Sequence, residues 1–350
     1  MNRKPVVVAM SGGVDSSVTA ALLQEQGHEV IGVTMQLWDQ SSGVSCCSAD
    51  NVRDARRVAE QLDIPFHVVH FEDEFQSQVI KTFCDEYFIG RTPNPCVVCN
   101  QILKFDLLLR KARELGAEKM ATGHYANIVE KDGRYLLQKG VDRHKDQSYF
   151  LFALTQEQLS CSLFPLGSMS KDDVRSHAER FDLQVAQKAE SQDICFIPDG
   201  DYVNFLEEQR GHGQLDGDIV HVSGKVLGKH KGIYRYTVGQ RKGLGIGWTA
   251  PLFVVGINAE NKQVIVGERE HLSRKELEID GCNWSIEEPQ ETFKTYCRIR
   301  YRHHEVPATV QPLTNRQARI VFEDAQKGIT PGQAAVFYAD DLVLGGGWIK

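Results

Sequence analysis

No apolar run in this 350-residue chain approaches the roughly 20 residues needed to span a bilayer as a helix. Met1-Asn2-Arg3-Lys4 leads straight into an apolar strand-like segment, which leaves no h-region of a signal peptide, so the expectation is a cytoplasmic protein with no membrane partner. Positive charge is not in excess: 40 Lys and Arg stand against 47 Asp and Glu, a formal net charge of −7. That excludes a global basic field, and any RNA site must be a local basic patch. There is no internal repeat and no low-complexity tract, which argues against a solenoid or a disordered chain. Nine cysteines in a cytosolic chain read as thiols, metal ligands or redox groups rather than as a disulfide framework. What is present is ordinary soluble composition, 41% hydrophobic and 25% charged, in a length that calls for two or three domains.

The most informative run is Val6-Val-Val-Ala-Met-Ser-Gly-Gly-Val-Asp-Ser-Ser17. Val6 to Met10 is a continuous β-branched run of the kind buried on both faces of a parallel sheet. Ser11, Gly12 and Gly13 interrupt it, and Val14, Val18 and Leu22 recur at helical spacing. A loop between a strand end and a helix start aims backbone N–H groups and the positive end of the helix dipole at one spot. The glycines allow close approach of an anion, and Ser11, Ser16 and Ser17 add donors. The Gly-Lys-Ser/Thr ending of a Walker loop is missing, so γ-phosphate transfer is not the natural reading. The run resembles instead the Ser-Gly-Gly-x-Asp-Ser motif of the N-type ATP pyrophosphatases, which split ATP between the α and β phosphates.

Strand-like runs at Val6–Met10, Val30–Met35, Phe66–Val69 and Lys119–Thr122 alternate with helical patterns. One helical face is marked by Val52, Ala55, Ala59 and Leu62 after a candidate N-cap at Ser48, another by Ile102, Phe105, Leu109 and Ala112, ended by Gly116. This order predicts an α/β fold with a doubly wound parallel sheet, ligands lying above the carboxyl ends of its strands, where Met35, Gly123 and His124 fall. Past about residue 205 the texture changes: ten glycines fall between Gly211 and Gly247, with strands expected at Ile219–Val222 and Ile233–Val238 and a hairpin loop at Asn258–Lys262. Gly243-Leu-Gly-Ile-Gly247 is only a weak dinucleotide-loop signal, because no helix follows it. From about Glu276 short strands at Arg298–Arg302, Ala308–Val310, Ala318–Phe322, Ala334–Tyr338 and Leu342–Leu344 suggest an antiparallel β-barrel. The expected division is 1-205, a catalytic domain; 206-275, a small β-rich domain; and 276-350, the barrel.

Thr92-Pro-Asn-Pro-Cys96-Val-Val-Cys99-Asn100 is the second informative segment. Its prolines predict a rigid loop as far as Cys96, with a helix beginning just after Cys99. A thiol at a helix N-terminus is the better nucleophile. A single Cys-x-x-Cys without a second pair supports zinc only weakly. Cys195, in Ser191-Gln-Asp-Ile-Cys-Phe-Ile-Pro198, reads on its own as a small core residue between Ile194 and Phe196. Cys46, Cys47, Cys84, Cys161, Cys282 and Cys297 have no context that separates them from that reading.

Together, Ser11–Ser17, Met35, Asn94–Asn100, Gly123–Ala126, Lys145–Tyr149, Ser191–Phe196, Arg300-Tyr301 and Gly332-Gln333 resemble the tRNA-specific 2-thiouridylases, nearly end to end. The resemblance implies 2-thiolation of the wobble uridine of Lys-, Glu- and Gln-accepting tRNAs. ATP adenylates the C2 oxygen with release of pyrophosphate, and sulfur arrives as a persulfide from a cysteine desulfurase or relay protein. It places the persulfide on Cys195 and the resolving nucleophile at Cys99, leaving a Cys99–Cys195 disulfide; because that chemistry needs two sulfurs distant in sequence to meet, a mobile loop is expected to carry Cys195 over the ATP site. It assigns Ala9, Met10, Ser11, Gly12, Gly13, Val14, Asp15, Ser16, Met35 and Gly123 to ATP, Asp15 and the serines also to Mg²⁺. Asn94, Pro95 and Cys96 would border the target base, and His124, Lys145, Asp146, Gln147, Arg300, Tyr301 and Gln333 would contact tRNA. Arg298, Arg300 and Arg302 alternate and are expected to share one strand face as a phosphate stripe; Arg235, Arg241 and Lys242 are a weaker basic group.

One position departs from the family pattern: many members carry Asp where this chain has Cys96. Either Cys96 does that acid–base work, or the role lies elsewhere, or Cys96, Cys99 and Cys195 hold an iron–sulfur cluster with one open iron. Rival readings are an ATP-pyrophosphatase synthetase acting on a small substrate, a non-catalytic zinc- or nucleotide-binding RNA adaptor, and a sulfurtransferase for another tRNA base.

Overall fold

A computed structural model describes residues 4–38, 49–189, 194–197, 200–211 and 216–350. Ser48, Cys46, Cys47 and most of the segment just before Cys195 lie outside the described residues, as does part of the expected mobile loop. The chain forms two compact units: Met1–Val79 with Cys96–Gly200 and Asp340–Leu344, and Ile80–Pro95 with Asp201–Ala339 and Gly345–Lys350.

The first unit holds strands β1 (Val6–Ala9), β2 (Val30–Gln36), β3 (Phe66–His70), β4 (Lys119–Ala121), β5 (Ala126–Lys131), β6 (Arg134–Lys139) and β7 (Ser162–Leu163). Five of them form a parallel sheet in the order β3-β2-β1-β4-β7. The Val6-Val7-Val8 run occupies the centre because its β-branched side chains fit a pleat covered on both faces; Val7 and Val8 are fully buried. The chain winds outward from β1 through β2 to β3, then crosses back to place β4 on the other side of β1. The carboxyl ends of β1 and β4 therefore flank the switch point, where an open α/β sheet leaves a crevice. Helix α1 (Val14–Glu25) follows β1 at once, burying Val14, Val18 and Leu22, while α2 (Ala49–Gln61) precedes β3 and buries Ala55, Val58 and Ala59 in the same core. The helix Lys171–Arg180 starts at a capping box between Ser170 and Asp173. β5 and β6 form an antiparallel hairpin, and Leu342 pairs with Gln138 on it.

In the second unit β8 (Gly217–His221), β9 (Val226–His230), β10 (Phe253–Asn258) and β11 (Gln263–Gly267) form a four-stranded sheet in the order β10-β11-β8-β9. The expected hairpin at Asn258–Lys262 is there, joining β10 to β11. Ile233–Val238 is not a strand. Gly232 takes φ +139°, and Ile233–Arg235 closes into a 3₁₀ turn that buries Ile233 and Tyr234. Burial, not extension, accounts for the apolar residues of that segment.

The same unit contains β12 (Ser273–Trp284), β13 (Phe293–Arg298), β14 (Val306–Leu313), β15 (Gln317–Lys327), β16 (Ala334–Ala339) and the end of β17 (Leu342–Ile349). The order β12-β15-β14-β13-β16-β17, closed by β12–β17 pairing from Ile279↔Ile349 to Trp284↔Gly345, makes a six-stranded antiparallel barrel. The expected strand Arg298–Arg302 is a correction. β13 ends at Arg298, Cys297 pairs with Val306, and residues 299–305 are the connecting loop, folded back by an Arg300 carbonyl to His303 N–H bond. Ile299 is buried in the loop while Arg300 and Arg302 are exposed. The alternation of charge therefore reflects an anchored turn, and the three arginines do not share a strand face. Arg298 is turned inward, its guanidinium 5.5 Å over the Tyr301 ring and donating to the Tyr301 carbonyl.

Candidate active site

The loop after β1 opens onto a cleft of about 220 Å³ in the first unit. Of the residues assigned to the nucleotide, Ala9, Met10, Ser11, Asp15, Ser16, Met35 and Gly123 line it. Gly12, Gly13 and Val14 do not, and their work is in the backbone. Gly13 is the extended N-cap of α1 (φ −101°, ψ 167°), and no side chain caps the helix. The first N–H groups of α1 thus have no side-chain cap, an arrangement that suits an anion. Gly12 sits at φ +73°, and a Cβ there would lie 2.2 Å from the Asn51 carbonyl oxygen. Val14 is buried in the core and anchors the first turn.

The serines form a local network: Ser16 Oγ accepts from the Ser11 N–H (3.1 Å), lies 3.2 Å from Ser11 Oγ, and donates to the Gly13 carbonyl (3.2 Å). Asp15 Oδ1 receives both Lys171 Nζ (2.7 Å) and the Tyr125 hydroxyl (2.8 Å). Lys171, on the first turn of its helix, is 8% exposed, so its charge is compensated by Asp15 in a sheltered place. A second lysine, Lys188, donates to the Gly12 carbonyl (2.9 Å), Asn51 Oδ1 (2.7 Å) and Asp54 Oδ2 (2.6 Å), tying the loop to α2. Across the switch point, a Cβ on Gly123 would lie 2.9 Å from the Asp15 carbonyl carbon and the Ser16 nitrogen, so the end of β4 packs directly on the start of α1.

Several lining residues escaped the sequence reading: Val33, Thr34, Asn51, Val52, Lys104 and Thr122. Thr34 and Thr122 were within reach of the strand-end argument; Asn51 and Val52 were hidden in a helix pattern. His124 and Gln147, assigned to tRNA, also line the cleft. His124 is buried among Phe105 and Phe164, with Nδ1 2.7 Å from Thr122 Oγ1. Burial first, and then the charge of Lys104, hold it well below the ordinary histidine range, so it is neutral at neutral pH. Gln147 Oε1 accepts from the Tyr125 N–H. Asp146 is buried, accepting from the Gly140 and Ser148 N–H groups and from Ser148 Oγ; it shapes the loop. Lys145, beside it, is half-buried and donates its N–H to the Asp142 carbonyl.

The cysteine segment departs from the sequence expectation. The helix begins at Pro95, not after Cys99: a turn at Pro95–Val98 continues into a π-helical stretch, Cys99–Leu108, and an α-helical end, Leu109–Glu114. Proline is well suited to the first helical position, where its missing N–H has no partner to lose. Cys96 is therefore in the first turn, and Cys99 lies beyond it, where the dipole has faded. Burial, and after it the proximity of Cys195, pushes the Cys96 thiol up to about 11; Lys104 acts on it in the opposite sense. At neutral pH Cys96 is protonated, which makes it a poor general base. Cys99 and Cys195 are half-buried, and the Phe196 ring next to Cys195 packs edge-on against Phe75 at 5.6 Å. Among the described residues no group of three or more His, Cys, Asp or Glu side chains is arranged to hold a metal ion. Cys84, Cys282 and Cys297 are buried, their thiols held protonated by desolvation.

In the second unit Asn94 and Pro95 are buried, and Gln333, assigned to tRNA, donates its amide to the Thr92 (2.9 Å) and Pro93 (3.2 Å) carbonyls. Arg300 is exposed and Tyr301 half-buried in the β13–β14 loop.

An uncapped helix N-terminus at the switch point of a parallel sheet, entered through Ser-Gly-Gly-Val-Asp-Ser, defines a nucleotide-binding α/β protein of the PP-loop class carrying a C-terminal β-barrel. Three families match in series: "tRNA methyl transferase HUP domain" over residues 4–199, "tRNA methyl transferase PRC-barrel domain" over 203–268 and "Aminomethyltransferase beta-barrel domain" over 274–349. The chain is 59% identical over 346 residues to a tRNA-specific 2-thiouridylase MnmA of Syntrophotalea carbinolica, covering 99% of this chain and 98% of that protein. It is 60% identical over 356 residues to the protein of the same name from Geobacter metallireducens, covering 99% and 97%. A solved 4-thiouridine synthetase–RNA complex with bound ATP matches with a TM-score of 0.38 at 20% identity, over 59% of this chain and 50% of that one. The chain belongs to the tRNA-specific 2-thiouridylase family.

Proposed function

We propose that this protein converts uridine to 2-thiouridine at the wobble position of tRNA, using ATP and a persulfide. The observation that carries the reading is the joining of two chemistries in one unit. Lys104 lines the cleft beneath the nucleotide loop and also lies close enough to Cys96 for its charge to act there, while Cys96 in turn feels Cys195. Lys104 thus links the cleft to Cys96, and Cys96 to Cys195.

In this account the start of α1 and Ser11 hold the β- and γ-phosphates, and the ends of β1, β2 and β4 hold the adenosine. Asp15, the one carboxylate among the described lining residues, fits a Mg²⁺ brought in with the phosphates, since that ion needs few protein ligands. When bound, the ion would neutralise charge on the departing pyrophosphate. The uridine C2 oxygen attacks the α-phosphorus, the α–β P–O bond breaks, and pyrophosphate leaves. The terminal sulfur of a persulfide on Cys195 then attacks C2, and AMP leaves with the original oxygen. Cys99 completes the relay by attacking Cys195 Sγ; the bond to the outer sulfur breaks, that sulfur stays on C2, and a Cys99–Cys195 disulfide is left for an external thiol to reduce.

Asn94, Pro95 and Cys96 border the base in this proposal. His124, Lys145, Asp146, Gln147, Arg300, Tyr301 and Gln333 belong to the tRNA-contacting set, Asp146 and Gln333 by shaping loops. The substrates are Lys-, Glu- and Gln-accepting tRNAs, the donor a cysteine desulfurase or relay protein, and the compartment the cytoplasm. The test is product analysis of the nucleotide: thiolation should consume ATP to AMP and pyrophosphate in equal amounts. ADP and phosphate as the products, or thiolation without ATP, would overturn the reading.

A further inference from the structure

Three lysines surround the nucleotide loop, and two are already committed. Lys171 is paired with Asp15 at 2.7 Å, and Lys188 is held by the Gly12 carbonyl, Asn51 and Asp54. Lys104 is different. Among the described residues no hydrogen bond or ion pair engages its ammonium, yet it lines the cleft, and no other cation does so. Its position follows from the winding of its helix. It lies five positions after Cys99, and in an α-helix such positions diverge by about 140°. The stretch Cys99–Leu108 is π-helical, with i→i+5 hydrogen bonding, which brings positions five apart into successive turns of one side. π-Helical turns cost backbone geometry and recur where a side chain must be re-aimed.

We propose that Lys104 is a catalytic residue that contacts the α-phosphate of the bound nucleotide and stabilises its oxygens as charge develops through both chemical steps. This rests on the proposed function, because it takes the cleft to hold an adenine nucleotide whose α-phosphorus is attacked. The uncapped start of α1 and Ser11 serve the β- and γ-phosphates. The attacking oxygen reaches the α-phosphorus, and the sulfur reaches C2, from the side of the cysteines, and Lys104 is the lining cation whose charge reaches Cys96. The same ammonium remains beside the phosphate when the C2–O bond breaks and AMP departs, so one residue serves adenylation and leaving-group expulsion. The charge is not interchangeable with that of Lys171, which Asp15 compensates.

The test separates the α-phosphate from the rest of the ligand. Binding of AMP, adenosine and pyrophosphate is measured calorimetrically for the full chain and for Lys104→Gln and Lys104→Arg. AMP should bind Lys104→Gln at least about tenfold more weakly than the parent, as expected for loss of a charge-assisted hydrogen bond. Adenosine and pyrophosphate should bind unchanged, and Lys104→Arg should recover most of the AMP affinity. Thiolation by Lys104→Gln should show a lower kcat at saturating ATP. Equal AMP affinity in parent and Lys104→Gln, or parallel weakening of adenosine, would overturn the role of Lys104 and leave the nucleotide site standing. Failure of the parent chain to bind either AMP or ATP would overturn the proposed function itself.

Discussion

At the scale of single residues the nucleotide loop depends on a place where a side chain cannot be added. Gly12 combines φ +73° with a neighbouring carbonyl 2.2 Å from any Cβ, whereas Gly133 has φ +74° and open space around it. Gly133→Ala should cost about 1 kcal/mol, and Gly12→Ala about 2–4 kcal/mol with loss of nucleotide binding. Urea unfolding of both variants measures the difference, and equal losses would contradict the packing described. His124 gives a second prediction. Its folded-state affinity for protons is depressed by burial, so below the ordinary histidine range the unfolded chain binds a proton that the folded chain refuses. Stability should therefore fall as pH drops from about 7 to 5, and more steeply than in His124→Asn. A variant curve parallel to that of the parent would show that His124 does not carry the effect. Cys96, protonated at neutral pH, should tolerate replacement by serine with activity reduced about tenfold or less, in contrast to Cys99→Ser and Cys195→Ser.

At the scale of elements, what the sequence disclosed and what it hid have separate causes. Val6 to Ser17 was legible because a β-branched run, two glycines and a helical period occupy adjacent positions and each enforces its own geometry. Strands at Val30, Phe66 and Lys119 were legible as short runs set between helical patterns, and the hairpin at Asn258–Lys262 as a polar loop between two apolar runs. Lys104 was not, because its orientation depends on π winding that no residue pattern announces. Pro95 was read as a helix breaker, although at the first helical position it is an initiator. Arg298–Arg302 was misread because alternating charge looks the same in a strand and in a hairpin loop pinned by one buried residue, Ile299. The loop before Pro95 makes a further prediction. Gln333 donates to the Thr92 and Pro93 carbonyls, so Gln333→Ala should leave AMP binding unchanged and lower thiolation about tenfold by loosening the segment beside Asn94. Weakened AMP binding in that variant would contradict the assignment.

At the scale of the whole molecule the acidic total of −7 must be reconciled with an RNA substrate. A local patch suffices if the phosphates it meets are few, and exposed Arg300 and Arg302 are its candidates. Replacing both with alanine should weaken tRNA binding across all sequences and reduce the salt slope by about 1 per lost phosphate contact. The three-part division at 205 and 275 remains a proposal that limited proteolysis can check, since cleavage should concentrate near those positions. No helix among the described residues is long and apolar enough to cross a membrane. The central claim, that one cleft couples nucleotide cleavage to sulfur transfer through Cys99 and Cys195, is tested most directly by nucleoside mass spectrometry. Unmodified Lys-, Glu- or Gln-accepting tRNA is incubated with the protein, ATP and a persulfide donor. The account predicts a 2-thiouridine peak that requires ATP and vanishes in both Cys99→Ser and Cys195→Ser; a peak that persists without Cys195, or forms without ATP, would contradict it.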